Sequence, residues 1–342
     1  MNKSRFVMMG AGFWARYQLA GWGEIEGAAC VAICDRSREK AGALAREFGA
    51  PKVYEDAETA LLRERPDFVD IVAGPEAHEA LVLLAAEHRI PAICQKPLGP
   101  TVEAAERMAE ACRAAGVPLY VHENWRWQEP IRIVRAILEE GAIGEIFRAR
   151  IDFITGFPVF DNQPFLKELD QFLLTDIGTH ILDTARFLFG EAKSVYCRTR
   201  RVHSDIRGED VATVMMEMQS GVVVTCNMAY SGNPHEHDRF PETYLFLEGV
   251  EGALELAPDY WVRTTTRQGT WARRSPPARY SWADPAYDLV QASIVPCSRN
   301  LFVALNGGAP AETSAEDNLR TLRLVRAAYE SAASGQVITQ GL

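Results

Sequence analysis

Short apolar runs alternate with longer stretches of helical periodicity through the first 120 residues of the chain. Arg5–Met9, Ala29–Cys34, Phe68–Val72, Ala92–Cys94 and Leu119–Val121 read as buried strands. Trp14–Trp22, Arg38–Phe48, His78–Glu87 and Val102–Ala115 between them read as helices. Gly49 and Gly116 stand where helices stop, and Thr101 stands as an N-cap with Glu103 in the first turn. Strand–helix alternation of this kind predicts a parallel sheet wound with helices on both faces.

After residue 123 the pattern changes. A helix over Pro130–Glu140 precedes a strand at Ile146–Phe153 and an aromatic loop from Gly156 to Phe165. Strand-like runs then follow at Ser194–Arg201, Ala212–Glu217, Val222–Ala229, Tyr244–Glu248 and Ala253–Leu256, with a last helix over Glu316–Ala333 capped from Thr313-Ser314. Strands in succession predict an antiparallel or mixed sheet. The expected class is α/β, with a doubly wound domain over 1–123 and an α+β domain over 124–342.

The chain's 342 residues suit two domains or one large α/β unit, and its 47% apolar content can build a sizeable core. A net charge of −10 argues against nucleic acid, whose phosphates require a basic surface. No apolar run is long enough for a membrane span, and the N-terminus lacks signal-peptide character, so a cytoplasmic protein is expected. Cysteines 30, 34, 94, 112, 197, 226 and 297 form no Cys-x-x-Cys pair and read as reduced core residues.

Chemistry enters with Gly10-Ala-Gly12-Phe13-Trp14-Ala15, which follows the first strand and opens the first helix. It fits the G-x-G-x-x-G/A dinucleotide fingerprint, in which glycines permit a tight turn and the helix N-terminus receives a pyrophosphate. A structural glycine turn is the alternative. Asp35, ending the second strand, is placed to bind ribose hydroxyls, and the joint pattern is more specific than either half. Its charge repels a 2′-phosphate and favours NAD, although Arg36 leaves NADP possible; Arg38 reads as a solvated charge. Ala73-Gly74-Pro75 and Cys94-Gln95-Lys96-Pro97 both end strands, at the edge where open parallel sheets bind ligands.

The second constellation is Asp176-Ile-Gly-Thr-His180-Ile-Leu-Asp183, set among apolar residues. Helical spacing places Asp176 and His180 on one face, with Asp183 nearby. A buried ion pair is one reading and a catalytic acid–imidazole face the other. Phe157, Phe160, Asn162, Gln163 and Phe165 suit either a sugar ring or ordinary packing. Asn124, Arg126, Trp127 and Gln128 can line a cleft. His235 and His237 lack further ligands at suitable spacing, so no metal is expected.

With these pieces in place the chain resembles the Gfo/Idh/MocA oxidoreductases, named for glucose–fructose oxidoreductase and inositol dehydrogenase. The resemblance spans nearly the whole chain. It rests on Gly10-Ala-Gly12, Gly74-Pro75…His78, Gln95-Lys96-Pro97, Asn124-Trp-Arg126-Trp127 and Asp176-x-Gly178-x-His180-x-x-Asp183. It implies an N-terminal Rossmann domain and a C-terminal domain with a large, mostly antiparallel sheet, which forms a homodimer or homotetramer. Lys96 matches the lysine of the family's Glu-Lys-Pro motif, beside nicotinamide and substrate oxygen, and Asp176 and His180 match its catalytic acid and histidine.

The resemblance also assigns Gly10, Gly12, Phe13, Trp14, Asp35, Arg36, Gly74, Pro75, His78, Gln95 and Lys96 to the cofactor. It assigns Lys96, Asn124, Arg126, Asp176 and His180 to the substrate. Gln95 departs from the usual glutamate and removes a negative charge beside Lys96; Gly74 replaces a more usual threonine. In the expected chemistry His180 accepts the hydroxyl proton, Lys96 polarises the oxygen, and Asp176 orients Lys96 or a substrate hydroxyl. Gly178 would allow close approach, and Asp183 would pair with Arg186 or cap local polar groups. The expected function is NAD(P)-dependent oxidation of a hydroxyl-bearing carbon in a sugar, polyol or cyclic hydroxy compound. An NAD-dependent glycosidase and a non-catalytic dinucleotide sensor are the competing classes.

Overall fold

The computed structural model describes residues 3–232 and 237–342; His235 and the Asn162 side chain lie outside the described residues. The chain forms two compact units. The first comprises Met1–Asn124, Tyr280–Asp284 and Gln291–Leu322, and the second Trp125–Arg279, Pro285–Val290 and Arg323–Leu342. The division is therefore discontinuous, whereas the sequence reading cuts the chain once, after Glu123.

The first unit is built on a six-stranded sheet in the order β3-β2-β1-β4-β5-β6. The strands are β1 (Ser4–Met9), β2 (Ala28–Cys34), β3 (Val53–Tyr54), β4 (Phe68–Ile71), β5 (Ala92–Gln95) and β6 (Leu119–His122). Every pairing is parallel. The helices are α1 (Phe13–Gly23), α2 (Arg38–Phe48), α3 (Ala57–Glu64), α4 (Pro75–Glu87) and α5 (Val102–Ala115). Near-continuous apolar strands and residues such as Val7, Val69, Ile71 and Val121 at 0% exposure show a sheet covered on both faces. The strand order reverses between β1 and β4, so Gly10, Gly74 and Lys96 all follow strand ends on the ligand-binding edge. The sequence reading misses β3 and α3, a two-residue strand and a short helix with few apolar positions.

In the second unit an eight-stranded sheet runs β14-β13-β12-β11-β7-β10-β9-β8. Its strands are β7 (Ile146–Thr155), β8 (Ala192–Arg200), β9 (Val211–Met218), β10 (Val223–Tyr230), β11 (Tyr244–Gly249), β12 (Gly252–Ala257), β13 (Trp261–Thr266) and β14 (Gly269–Arg274). All neighbours are antiparallel except β7 and β10, which are parallel. Helices α6 (Glu129–Glu139), α7 (Val159–Asn162) and α8 (Thr179–Phe189) belong to this unit, and α8 packs on β7 and β10. Strand β9 alternates buried Ala212, Val214 and Met216 with exposed Thr213, Met215 and Glu217, so one sheet face is left open. Sequence periodicity overlooks β13 and β14; β14 is exposed throughout and carries no apolar alternation.

The remaining helices are α9 (Asp288–Ala292), α10 (Ile294–Leu305) and α11 (Ala315–Ser334). Apolar α10 completes the first unit because it buries against α1: a Cβ on Gly21 would lie 2.5 Å from Ile294 Cγ2. Of the two expected cap residues of α11, Ser314 is the one that caps. Ser314 Oγ accepts from Asp317 N, while Thr313 Oγ1 donates to the Val121 carbonyl.

A buried carboxylate fixes α1 on the first sheet. Gln18 and Trp22, one helical turn apart, donate to the two oxygens of Asp70 on β4, each at 2.7 Å. Burial pushes the Asp70 carboxyl up to about 7, against the pull of these donors, whereas burial lowers His122 on β6 to about 4. The two act oppositely on stability. Asp70 contributes stability that is fully present below its ordinary 3.8 and is lost as pH rises through about 7. His122 contributes stability that is present above its ordinary 6.5 and is lost as pH falls through about 4. Asp70→Asn removes only the first contribution. Urea midpoints measured from pH 4 to 7 should therefore shift progressively in the variant's favour relative to the parent as pH rises. Parallel curves for the two proteins would rule this linkage out.

Candidate active site

The candidate residues fall into one set on each unit. In the first unit, Gly10 has φ +113°, and a Cβ there would lie 2.2 Å from the Val72 carbonyl oxygen. Only glycine lets β1 turn so close to the end of β4. Gly12 differs: nothing would meet its Cβ within 4 Å, and as N-cap of α1 it brings no side-chain cap. An open glycine before a helix start that no side chain caps is a cradle for a phosphate. Phe13 is exposed and Trp14 half-buried in that first turn.

Asp35, just past β2, is tied to this turn. One carboxylate oxygen accepts from Ala11 N at 2.8 Å and the other from Ser37 N at 2.7 Å. Each oxygen keeps a second lone pair for a ribose hydroxyl. Arg36 is exposed beside it. These features fit a dinucleotide: open glycine, uncapped helix start and fixed acid.

The other two loops of this edge are joined by His78, which is fully buried in α4. Its Nδ1 lies 3.0 Å from the Pro97 carbonyl and 3.2 Å from that of Leu98, and its Nε2 lies 3.1 Å from the Ala73 carbonyl. Burial lowers the His78 pKa and favours the neutral ring, which donates from one nitrogen and packs with the other between the Gly74-Pro75 and Lys96-Pro97 loops. Lys96 is half-buried, and the Lys96–Pro97 peptide is cis.

Gln95 is buried and takes part in a directed chain of amides. Its Oε1 accepts from Lys96 N at 3.1 Å, and its Nε2 donates to Gln18 Oε1 at 2.6 Å; Gln18 in turn donates to Asp70. The chain runs in one direction and ends on Asp70, whose two oxygens accept from Gln18 and Trp22. Asn124 is also buried, with Nδ2 donating to Ser293 Oγ at 2.8 Å.

In the second unit, Asp176 lies in a π-helical turn, Leu174–Gly178, that runs directly into α8. The sequence reading expects an ordinary helix; the structure widens its first turn, a distortion frequent at functional sites. Asp176 is half-buried, and its charge joins burial in pushing the Tyr230 phenol up. A Cβ on Gly178 would lie 3.2 Å from Leu174 Cδ2, so this glycine also serves packing within the turn.

His180 is 4% exposed and stacks on Trp125, with ring centroids 4.5 Å apart and planes at 22°. Trp125 is itself held by Nε1 donating to Thr243 Oγ1 and by an edge contact with Phe153. One residue on, Arg126 forks onto Asp183 at 2.7 and 2.5 Å, both residues buried. The 3₁₀ turn Trp125–Trp127 thus grips α8 at two points a helical turn apart, by stacking at His180 and by charge at Asp183. The expected Asp183–Arg186 pair is a secondary contact at 3.7 Å, since Arg186 forks instead onto Glu191. Trp125 is the residue sequence reasoning leaves out, although it stands inside the quoted Asn124-Trp-Arg126-Trp127 motif.

The aromatic loop is drawn into packing. Phe157 stacks on Phe240 at 4.0 Å and meets Tyr287 edge-on, and Phe160 lies against Phe172. Phe165 stays exposed.

Comparison with known proteins supplies the family. Residues 4–123 match the oxidoreductase family model with an NAD-binding Rossmann fold, and residues 131–255 match the GFO/IDH/MocA C-terminal domain. The chain is 41% identical to D-apiose dehydrogenase of Paraburkholderia graminis, over 99% of its own length and 90% of that protein's.

The chain belongs to the GFO/IDH/MocA oxidoreductase family.

It is also 39% identical to D-apiose dehydrogenase of Rhizobium rhizogenes, over 100% of this chain and 99% of that one. An Agrobacterium radiobacter oxidoreductase, solved with NAD+, L-tartaric acid and magnesium, superposes with a TM-score of 0.97 at 38% identity, covering 99% of this chain and 98% of that one. As a GFO/IDH/MocA enzyme the chain is an NAD-dependent oxidoreductase acting on a sugar-type hydroxyl.

Two outcomes follow for stability. Arg126→Ala removes the forked partner of a buried carboxylate, which keeps Arg186 at 3.7 Å, and should cost about 3–5 kcal/mol, with Arg126→Lys restoring only part because lysine cannot fork. Denaturant midpoints measure this, and an unchanged midpoint for Arg126→Ala would show that the pair anchors nothing. Gln95→Glu should also destabilise, because Gln18 must then reverse and turn its carbonyl toward Asp70. Adding Asp70→Asn supplies a donor at the far end, so the double variant should be more stable than Gln95→Glu alone. Additive effects of the two substitutions would reject a directed chain.

Proposed function

We propose that this enzyme oxidises D-apiose with NAD, using Lys96, Asp176 and His180 as its catalytic residues. The observation that carries the substrate is near-full-length identity of 41% and 39% to two D-apiose dehydrogenases. When bound, NAD would supply the acceptor for the hydride that leaves the carbinol carbon. His180 accepts the hydroxyl proton as general base. Its stack on Trp125 fixes the ring plane and so the direction of the accepting lone pair. Lys96 holds and polarises the same oxygen as its charge changes, and Asp176 orients Lys96 or a neighbouring hydroxyl.

The glycine turn takes the pyrophosphate at Gly12 and the start of α1, with Phe13 and Trp14 beside it, and Asp35 takes the adenosine ribose. Gly74, Pro75 and Lys96 line the nicotinamide side, braced from behind by His78 and Gln95. We assign Asn124 and Arg126 to shaping the substrate side through Ser293 and Asp183.

The open face of the second sheet is the surface for a homodimer or homotetramer. Met215, Thr225, Arg150 and Phe246 succeed one another across it in register, mixing apolar and charged groups as subunit interfaces do. A cytoplasmic setting suits the seven free cysteines.

The test is a screen of D-apiose against pentoses, inositols, anhydrosugars and L-tartrate, with NAD and NADP in parallel, followed by NADH formation. D-apiose with NAD should give the highest kcat/KM; absence of turnover with D-apiose beside turnover of another compound would displace it. His180→Ala should lower kcat about 10²–10⁴-fold while NAD affinity is kept. Near-normal hydride transfer in that variant would remove His180 from the mechanism.

A further inference from the structure

The π-helical turn that carries Asp176 begins with backbone N–H groups that its own helix cannot satisfy. Their partners come from far away in sequence. Phe172 N and Leu174 N donate to the two carboxylate oxygens of Glu209, at 3.2 and 2.9 Å, and Leu173 N donates to the Glu209 backbone carbonyl at 3.2 Å. Thr175 N donates to the hydroxyl of Tyr329 at 3.1 Å, and that hydroxyl donates to Glu209 at 2.7 Å. Asp176 N then donates to the Phe172 carbonyl, so the helical ladder starts at the residue the chemistry needs.

Glu209 is buried, and the residue before it must be glycine. A Cβ on Gly208 would lie 2.7 Å from the Leu169 carbonyl and 2.9 Å from Phe172 N. The next residue is anchored as well: Asp210, at 0% exposure, accepts from Val202 N at 2.7 Å and from His203 N at 2.8 Å. Gly208, Glu209 and Asp210 thus thread a fixed strand entry against the start of the Asp176 turn. A buried carboxylate facing a helix N-terminus is favourable both as a hydrogen-bond acceptor and against the helix dipole.

We infer that Glu209, with Tyr329 behind it, is a positioning residue for Asp176, capping the π-turn from across the second unit. The inference rests on the catalytic assignment of Asp176 and His180 made above. Glu209 touches no reacting atom. It fixes the phase of the turn, and with it the direction in which Asp176 leaves the backbone.

The test compares Glu209→Gln, Glu209→Ala and Tyr329→Phe with Asp176→Asn and His180→Ala in the full-length enzyme. Hydrogen exchange by mass spectrometry over 172–176, NAD affinity and steady-state kinetics with the sugar found in the screen are the readouts. Loss of the cap should speed exchange across 172–176 and lower kcat roughly tenfold to a hundredfold, with NAD affinity unchanged. Tyr329→Phe, which keeps the carboxylate, should show a smaller change in the same direction and serves where Glu209→Ala fails to fold. A purely structural residue would lower the active fraction without changing kcat per folded molecule or local exchange. Unchanged exchange in Glu209→Ala overturns the cap. Turnover lost in Asp176→Asn but kept in Glu209→Ala overturns the positioning role alone. Turnover kept in both Asp176→Asn and His180→Ala overturns the catalytic reading and this role with it.

Discussion

The geometry of the second unit depends on one ion pair taken out of water. Arg126 and Asp183 are both buried, each costly to desolvate, and their fork fixes the 3₁₀ turn Trp125–Trp127 against α8. Trp125 is thereby delivered to His180 as a flat support. Stacking holds the plane of the imidazole, and the Asp183 carboxylate, engaged by Arg126, holds the turn that supplies the stacking partner.

The first unit solves a related problem with neutral groups. Gln18 and Gln95 carry hydrogen-bond direction from Asp70 to the Lys96 backbone without adding a second buried charge. This gives Gln95 a physical meaning. Read from sequence, it is a missing negative charge beside Lys96; in the structure, the nearby buried carboxylate is Asp70, at the end of the same chain. His78 does parallel work between the Ala73 and Pro97 carbonyls.

Much of this was legible in the residues. The strands of the first sheet are short apolar runs bounded by turn residues, and the turn at Gly10 and Gly12 with Asp35 tied to it has the geometry the motif predicts. What escaped has local causes. Strand β14 is exposed along its length, so no alternation marks it. The π-turn has no sequence signature, because it is set by partners 35 or more residues away at Glu209 and Tyr329. For Asp183 the sequence shows only local partners, Arg186 at i,i+3 or nearby polar groups to cap, while the forked partner lies 57 residues earlier. Trp125 carries no sequence signal of its own task, since stacking on His180 is a tertiary fact.

The double tether of Asp35 bears on redesign of cofactor choice. The carboxylate that would disfavour a 2′-phosphate also holds Ala11 N and Ser37 N, so it is a fastener of the glycine turn as well as a selector. Exchanging it for a small neutral residue to admit a phosphorylated ribose would loosen the Gly10–Gly12 turn. Cofactor preference and turn geometry are therefore not independent variables in the proposed site. A successful conversion would have to supply a new acceptor for those two backbone groups at the same time as it supplies the new charge.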